Sequence, residues 1–343
     1  MPDTKEPTMP TGFEARAYLP RDLYEAITDI RVRHPAFADG EADRRARRQR
    51  AAPDGKLVIL AADHPGRASL KIQDDALAMA DRHELLARIV RVMSQPGIDG
   101  VMSTPDVVED LLILGGLVRE RGGQSPLDER LLIGCMNRGG LPGTVWEMDD
   151  SFSAFTTRRM AVLGLDGGKF MVRIDPTDRG SLATLQGCVR AVTELAEAGL
   201  LAFLEPLPVV RENGAYTVVR TARALTEAVS VASAMGASSL YTWLKVPTCP
   251  DFERVARATT LPLVILGGEA VGDPRPVIED LSRGMAAGSN VRGAMIGRNV
   301  LYPGAEDPRA VAAAVSAVVH DGGGVDEALA AMEAERGKDS ELV

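Results

Sequence analysis

SSLYTWLKVP, residues 238–247, reads as a strand with one lysine set among apolar and aromatic residues near its C-terminal end. A lysine in such a place either snorkels to solvent or has a task. In a closed (β/α) barrel the C-terminal ends of the strands are where chemistry is carried out. Lys245 is therefore the first candidate of the chain, as a nucleophile whose neutral amine could attack a carbonyl.

Outward from this stretch the same rhythm repeats. Apolar runs at Lys56–Ala62, Gly97–Met102, Leu131–Met136, Lys169–Asp175 and Leu200–Pro206 precede it, and Leu263–Leu266 and Val291–Ile296 follow. Helix-like segments lie between them, at Asp81–Ser94, Ser181–Ala198, Thr221–Met235, Asp251–Ala258 and Pro276–Ala287. Eight such units match an α/β fold of the (β/α)8 TIM-barrel type in number and size. The rival is a doubly wound open sheet, but no G-x-G-x-x-G follows the first strand as a dinucleotide fold would want. The expected organisation is an extension over 1–55, a barrel domain over 56–320 and a tail over 321–343. Within the extension, Met1–Gly12 reads as a loose tail and Glu14–Arg33 as a helix. The arginine-rich run Glu41–Arg50 reads as a solvated helix face or linker rather than an anion site. The tail beyond GGG at 322–324 reads as a peripheral charged helix.

A formal net charge of −9 and a pI near 5.2 argue against a nucleic-acid binder while leaving room for a local basic patch. The three cysteines are far apart, with no CxxC and no secretory-looking leader, so a reduced, cytoplasmic setting is expected. No run approaches 18 uninterrupted apolar residues, so no membrane span is expected.

With the strands so placed, their polar terminal residues gather at one end of the barrel: Asp63, Asn137, Lys169, Arg173, Glu205, Lys245, Gly267-Gly268 and Gly297-Arg298. A charge inside a packed barrel needs a partner or a substrate. Lys245 near another cation has its neutral form favoured by desolvation and repulsion; as a structural residue it would simply pair with Glu205. Glu205 could pass protons between a carbinolamine oxygen and a substrate hydroxyl. Asp63 could hold a substrate hydroxyl or complete that transfer, or serve only as a cap. Lys169 and Arg173 alternate on one face and could bind a second anionic group. The glycines after the last two strands would let backbone N–H groups approach a phosphate, with Arg298 as a clamp. The four histidines lack metal-ligand spacing, and neither a metal nor a cofactor is expected.

These residues resemble the class I aldolases: Asp63 in LAADHP, Lys169 in GGKFMVRID, Glu205 in FLEPL, Lys245 in LKVP, LGG at 266–268 and GRNVLYP at 297–303. The resemblance is to the tagatose-bisphosphate and bacterial-archaeal fructose-bisphosphate aldolases, grouped with deoxyribose-phosphate aldolase. It implies an imine on Lys245, proton transfer by Glu205, substrate contact by Lys169, a phosphate seat on Gly267, Gly268, Gly297 and Arg298, and a homo-oligomer. NRGG at 137–140 and WEMDDSFSAF at 146–155 resemble a subgroup linked with inositol breakdown. That link implies cleavage of 6-phospho-5-dehydro-2-deoxygluconate to dihydroxyacetone phosphate and malonic semialdehyde, with Asn137 and Arg138 or Arg173 at the substrate. The alternatives are a metal-assisted lyase or isomerase using Asp63, Asp149 and Asp150, and a non-enzymatic phospho-metabolite binder.

Overall fold

The computed structural model describes residues 12–338 and 341–342, so the expected loose tail at 1–11 lies outside the described residues. Eight parallel strands form a closed ring: β1 (Leu57–Ala61), β2 (Gly100–Ser103), β3 (Leu131–Cys135), β4 (Gly167–Ile174), β5 (Leu201–Glu212), and, after an antiparallel β6 (Ala215–Val218), β7 (Thr242–Val246), β8 (Leu263–Leu266) and β9 (Val291–Ile296). Pairing of β4 with β5 and of β1 with β9 closes the ring, with helices outside it, so the fold is a (β/α)8 barrel with an N-terminal helical extension. Alternation along each strand makes two apolar layers. Leu57, Ile59, Ile133, Phe203, Val264 and Met295 fill the barrel interior, while Val58, Leu60, Leu132, Leu204 and Leu244 pack outward under the helices.

β6 was not expected. It pairs antiparallel with the outer half of β5, Val209 opposite Val218, through a turn at Asn213-Gly214 where both residues have positive φ. Asn-Gly is the dipeptide that such a two-residue turn selects. The hairpin shields Met148 and Met171 with Leu207 and Val209, which gives it a small apolar core of its own.

The extension differs from expectation in two ways. The helix expected over Glu14–Arg33 is two helices, Ala15–Tyr18 and Arg21–Arg33, because Pro20 interrupts the ladder and caps the second. The arginine run is the expected solvated face or linker only in part: Arg44, Arg47 and Arg50 are exposed and residues 45–50 connect helix to strand, but Arg45 is buried. After the helix Phe37–Arg44 the chain crosses the floor of the barrel, where buried Arg45 donates to the carbonyls of Arg130 (2.5 Å) and Gly164 (2.9 Å) and meets Asp166 at 3.4 Å. Arg48 pairs with Asp99 at 2.5 Å. Guanidinium groups here satisfy strand-end carbonyls that a bare floor would leave to water. The terminal helix Val325–Glu335 is not peripheral either: Ala328 and Met332 are buried, and Glu335 meets Arg309 of the helix Pro308–Ser316 at 3.1 Å. Among the described residues no helix is long and apolar enough to cross a membrane.

Candidate active site

Register places the charged groups. Leu204 of β5 stands opposite Leu244 of β7, so Glu205 and Lys245 are side by side; Met171 of β4 stands opposite Glu205, which puts Lys169 one inward layer below. The Lys169 ammonium lies 2.5 Å from one Glu205 oxygen and the Lys245 ammonium 3.2 Å from the other. Lys169 is also 3.7 Å from Asp63, at the end of β1, and the buried Arg138 pairs with the same carboxylate. Cys135 donates its S–H to Asp63 at 3.3 Å. All five charged groups are buried or nearly so.

Their proton affinities follow from this packing. Burial alone would raise the Glu205 carboxyl, but the flanking lysines outweigh it and hold it well below the usual carboxylate range. Lys245 is lowered to about 8, chiefly by burial; Glu205 opposes the shift, while Lys169 and Arg138 add to it. Burial likewise lowers the Arg138 guanidinium to about 10. His64, next to Asp63, is pushed down to about 3 by burial and then by Arg298, Lys245 and Lys169, so its imidazole is neutral at any ordinary pH. The mouth thus contains a lysine that gives up its proton within reach of neutral pH, against a carboxylate held ionised.

The structure brings Lys245, Glu205, Lys169, Asp63 and Arg138 together. Arg173 and Asn137 are turned to another use. Arg173 meets Glu147 at 3.4 Å and donates to its carbonyl at 3.1 Å. The fully buried Asn137 donates to the Met171 carbonyl at 2.6 Å and accepts from the Met171 N–H at 3.0 Å. Both therefore fix the loop that follows β3. Arg67, which no sequence pattern singled out, completes that brace by pairing with Asp150 at 2.5 Å and donating to the carbonyls of Asn137 and Gly140. Asp150 is thus ion-paired and accepts the Gly140 N–H, while Asp149 is exposed. Among the described residues no cluster of three or more His, Cys, Asp or Glu is placed to hold a metal ion.

After β8, Gly267 and Gly268 make a tight turn, Gly268 with φ +73°, a left-handed conformation that favours glycine. A Cβ on Gly297, after β9, would overlap the backbone of Ala61. Asn299 donates to the Gly267 carbonyl at 2.5 Å and so ties the two turns together. The N–H groups of Gly268 and Arg298 donate to no acceptor among the described residues. Burial lowers the Arg298 guanidinium, whose side chain stands close enough to weigh on His64.

Residues 55–319, three quarters of the chain, match the family model described as Cgl0159-like. The chain belongs to the Cgl0159-like family. It is 36% identical to the crystal structure of Cgl0159 from Corynebacterium glutamicum, with a TM-score of 0.82 over 89% of this chain and 99% of that one. An archaeal fructose-1,6-bisphosphate aldolase, solved with its catalytic lysine covalently bound to the carbinolamine intermediate of the substrate, superposes with a TM-score of 0.56 at 19% identity, over 82% of this chain and 99% of that one. At that identity the likeness shows a shared (β/α)8 barrel fold. Over 178 residues the chain is 31% identical to a 2-amino-3,7-dideoxy-D-threo-hept-6-ulosonate synthase of Halobacterium salinarum, which spans 46% of this chain and 65% of that relative.

Proposed function

We propose that this member of the Cgl0159-like family is a class I aldolase acting on a phosphorylated ketose or keto-sugar acid through an imine on Lys245. The observation that carries the reading is the buried Lys245–Glu205–Lys169 row, with Lys245 lowered to about 8. An amine with that proton affinity is partly neutral at physiological pH and can act as a nucleophile. Support also comes from the barrel fold shared with the archaeal aldolase.

The steps follow from the geometry. The neutral Lys245 amine adds its lone pair to the substrate carbonyl carbon, giving a carbinolamine. Loss of its hydroxyl as water, with a proton delivered through Glu205, leaves a protonated imine. Glu205 suits this role because its acidity is tied to its neighbours. While Lys245 is neutral, as free amine or carbinolamine, one of the two charges that hold the carboxylate ionised is gone and its proton affinity rises; the cationic imine restores that charge as Glu205 gives its proton up. The β-hydroxyl then loses its proton to a carboxylate, Asp63 or Glu205. The C–C bond breaks and its electron pair moves into the imine to give an enamine, while the aldehyde leaves. Protonation of the enamine carbon and hydrolysis of the imine release the ketone half and restore Lys245. Lys169, 2.5 Å from Glu205 and 3.7 Å from Asp63, stands beside the developing oxyanions as a hydrogen-bond donor.

The finer reading is cleavage of 6-phospho-5-dehydro-2-deoxygluconate to dihydroxyacetone phosphate and malonic semialdehyde. Arg138, held beside Asp63 at the mouth, supports it by offering a guanidinium to the carboxylate that becomes the aldehyde half. Borohydride reduction in the presence of dihydroxyacetone phosphate tests the central step. A secondary-amine adduct of the donor on the peptide containing Lys245 is expected; an unmodified Lys245 under turnover conditions contradicts the reading.

A further inference from the structure

The hairpin of β5 and β6 does more than cover Met171. From Val218 the chain runs back through Val219, Arg220 and Thr221, and Thr221 caps the helix Ala222–Ser233 by accepting from the Ala224 N–H at 3.3 Å. That return brings Arg220 to the turn after β8. Its Nη2 lies 3.8 Å from the point a Cβ would occupy on Gly268. With Pro247, Thr248, Gly267 and Gly268 it lines one small cavity between the end of β7 and the glycine turn.

Arg220 is exposed, and among the described residues it makes no ion pair or hydrogen bond. Asp280 lines this cavity too but is paired with Arg283, and Asp251 and Glu253 border the adjoining cleft; none of the three pairs with Arg220. A guanidinium fork is thus free beside a left-handed glycine whose own N–H has no acceptor. The Arg298 side chain stands close enough to weigh on His64, and Asn299 next to it donates to the Gly267 carbonyl. The two arginines come from parts of the chain 78 positions apart.

We propose that Arg220 is a phosphate-binding and specificity-determining residue, carried by the hairpin to the Gly267-Gly268 turn to take phosphate oxygens there. The proposal rests on the aldolase reading for the identity of the substrate, and it narrows that substrate to one ending in a phosphate monoester. A phosphate offers three strong acceptor oxygens, enough to meet two guanidinium groups and the turn's N–H groups together. A carboxylate has only two oxygens and fits the turn less fully.

The test is calorimetric titration of the full chain with inorganic phosphate, comparing the wild type with Arg220→Ala and Arg220→Lys. Arg220→Ala is expected to bind phosphate about 10-fold more weakly, and Arg220→Lys to recover part of that loss by keeping the charge without the fork. In steady state the KM for a phosphorylated donor should rise by a similar factor, with a smaller change in kcat. Equal phosphate affinity in wild type and Arg220→Ala, or no phosphate binding by the wild type, overturns the proposal. An adduct trapped on Lys245 together with phosphate affinity indifferent to Arg220 removes this inference alone. Phosphate affinity that depends on Arg220, with no adduct on Lys245, removes the aldolase reading and leaves this one standing.

Discussion

Both ends of the barrel bury charge, and they do so in opposite ways. On the floor each carboxylate is saturated. Asp166 accepts the Leu132 N–H and meets Arg45 and Arg47, while Asp99 accepts the Val58 N–H and meets Arg48 and His320. At the mouth, Lys169, Lys245 and Arg138 share Asp63 and Glu205, so the cations there include two lysines, which can give up a proton where the guanidinium groups of the floor do not. Burial, with Lys169 and Arg138 adding to it against Glu205, pushes the proton off Lys245. The floor reads as structure and the mouth as chemistry, although both use the same residue types.

The comparison breaks first at Lys245. Lys245→Met should lower turnover by about 10⁴-fold or more while leaving the fold intact, since a nucleophile has no substitute in an imine mechanism; circular dichroism and an activity assay check both halves. Glu205→Gln comes next, with a loss of about 10²–10⁴-fold. It carries a directional signature as well: removing the anion that opposes deprotonation should move the Lys245 titration below about 8, seen as a shift of the alkaline-rising limb of the rate profile toward lower pH.

Floor substitutions should do the reverse and affect stability without touching imine formation. Arg45→Ala leaves Asp166 and two carbonyls without their buried partner and should cost roughly 3 kcal/mol in denaturant unfolding, with Lys245 still trapped by borohydride. His320→Gln should be milder. The Asp99 carboxylate 3.1 Å from Nε2 and the Asp54 carboxylate bonded to Nδ1 at 2.7 Å outweigh burial and raise the imidazole to about 9. Because the folded value lies above the unfolded one near 6.5, the stabilisation is present in full below about pH 6.5 and lost as pH rises through about 9. The melting-temperature gap between wild type and His320→Gln should therefore be a few degrees at pH 6 and close by pH 10. A gap that widens with pH would contradict the assignment.

How legible each region was in the sequence follows the same division. The mouth could be read because barrel topology brings strand ends together, so that Lys169, Glu205 and Lys245 could be assembled from strand positions alone. The floor could not. Arg45 stands in a run of arginines that looks solvated, and its burial depends on carbonyls 85 and 119 residues further along the chain. Arg67 was equally silent, its partners Asn137 and Asp150 lying across the mouth. The β5–β6 hairpin left one signal, Asn213-Gly214, masked by Pro206 and Pro208, which argue against a continuing strand. β5 tolerates them because its paired residues with β7 end at Leu204. Asn137 and Arg173 have contacts that strand position alone does not reveal: Asn137 bonds to the backbone of Met171 and Arg173 to Glu147.

Burial at the mouth, with Lys169 and Arg138 adding to it, makes Lys245 an amine that reacts near neutral pH. The direct measurement is the rate of borohydride-trapped adduct formation on Lys245 as a function of pH, read by mass spectrometry in single turnover with dihydroxyacetone phosphate. The account predicts a rate that rises with pH through a midpoint near 8 and then levels, with the adduct on Lys245. A midpoint near the ordinary lysine value of about 10.4, or an adduct carried by Lys169 instead, would contradict it.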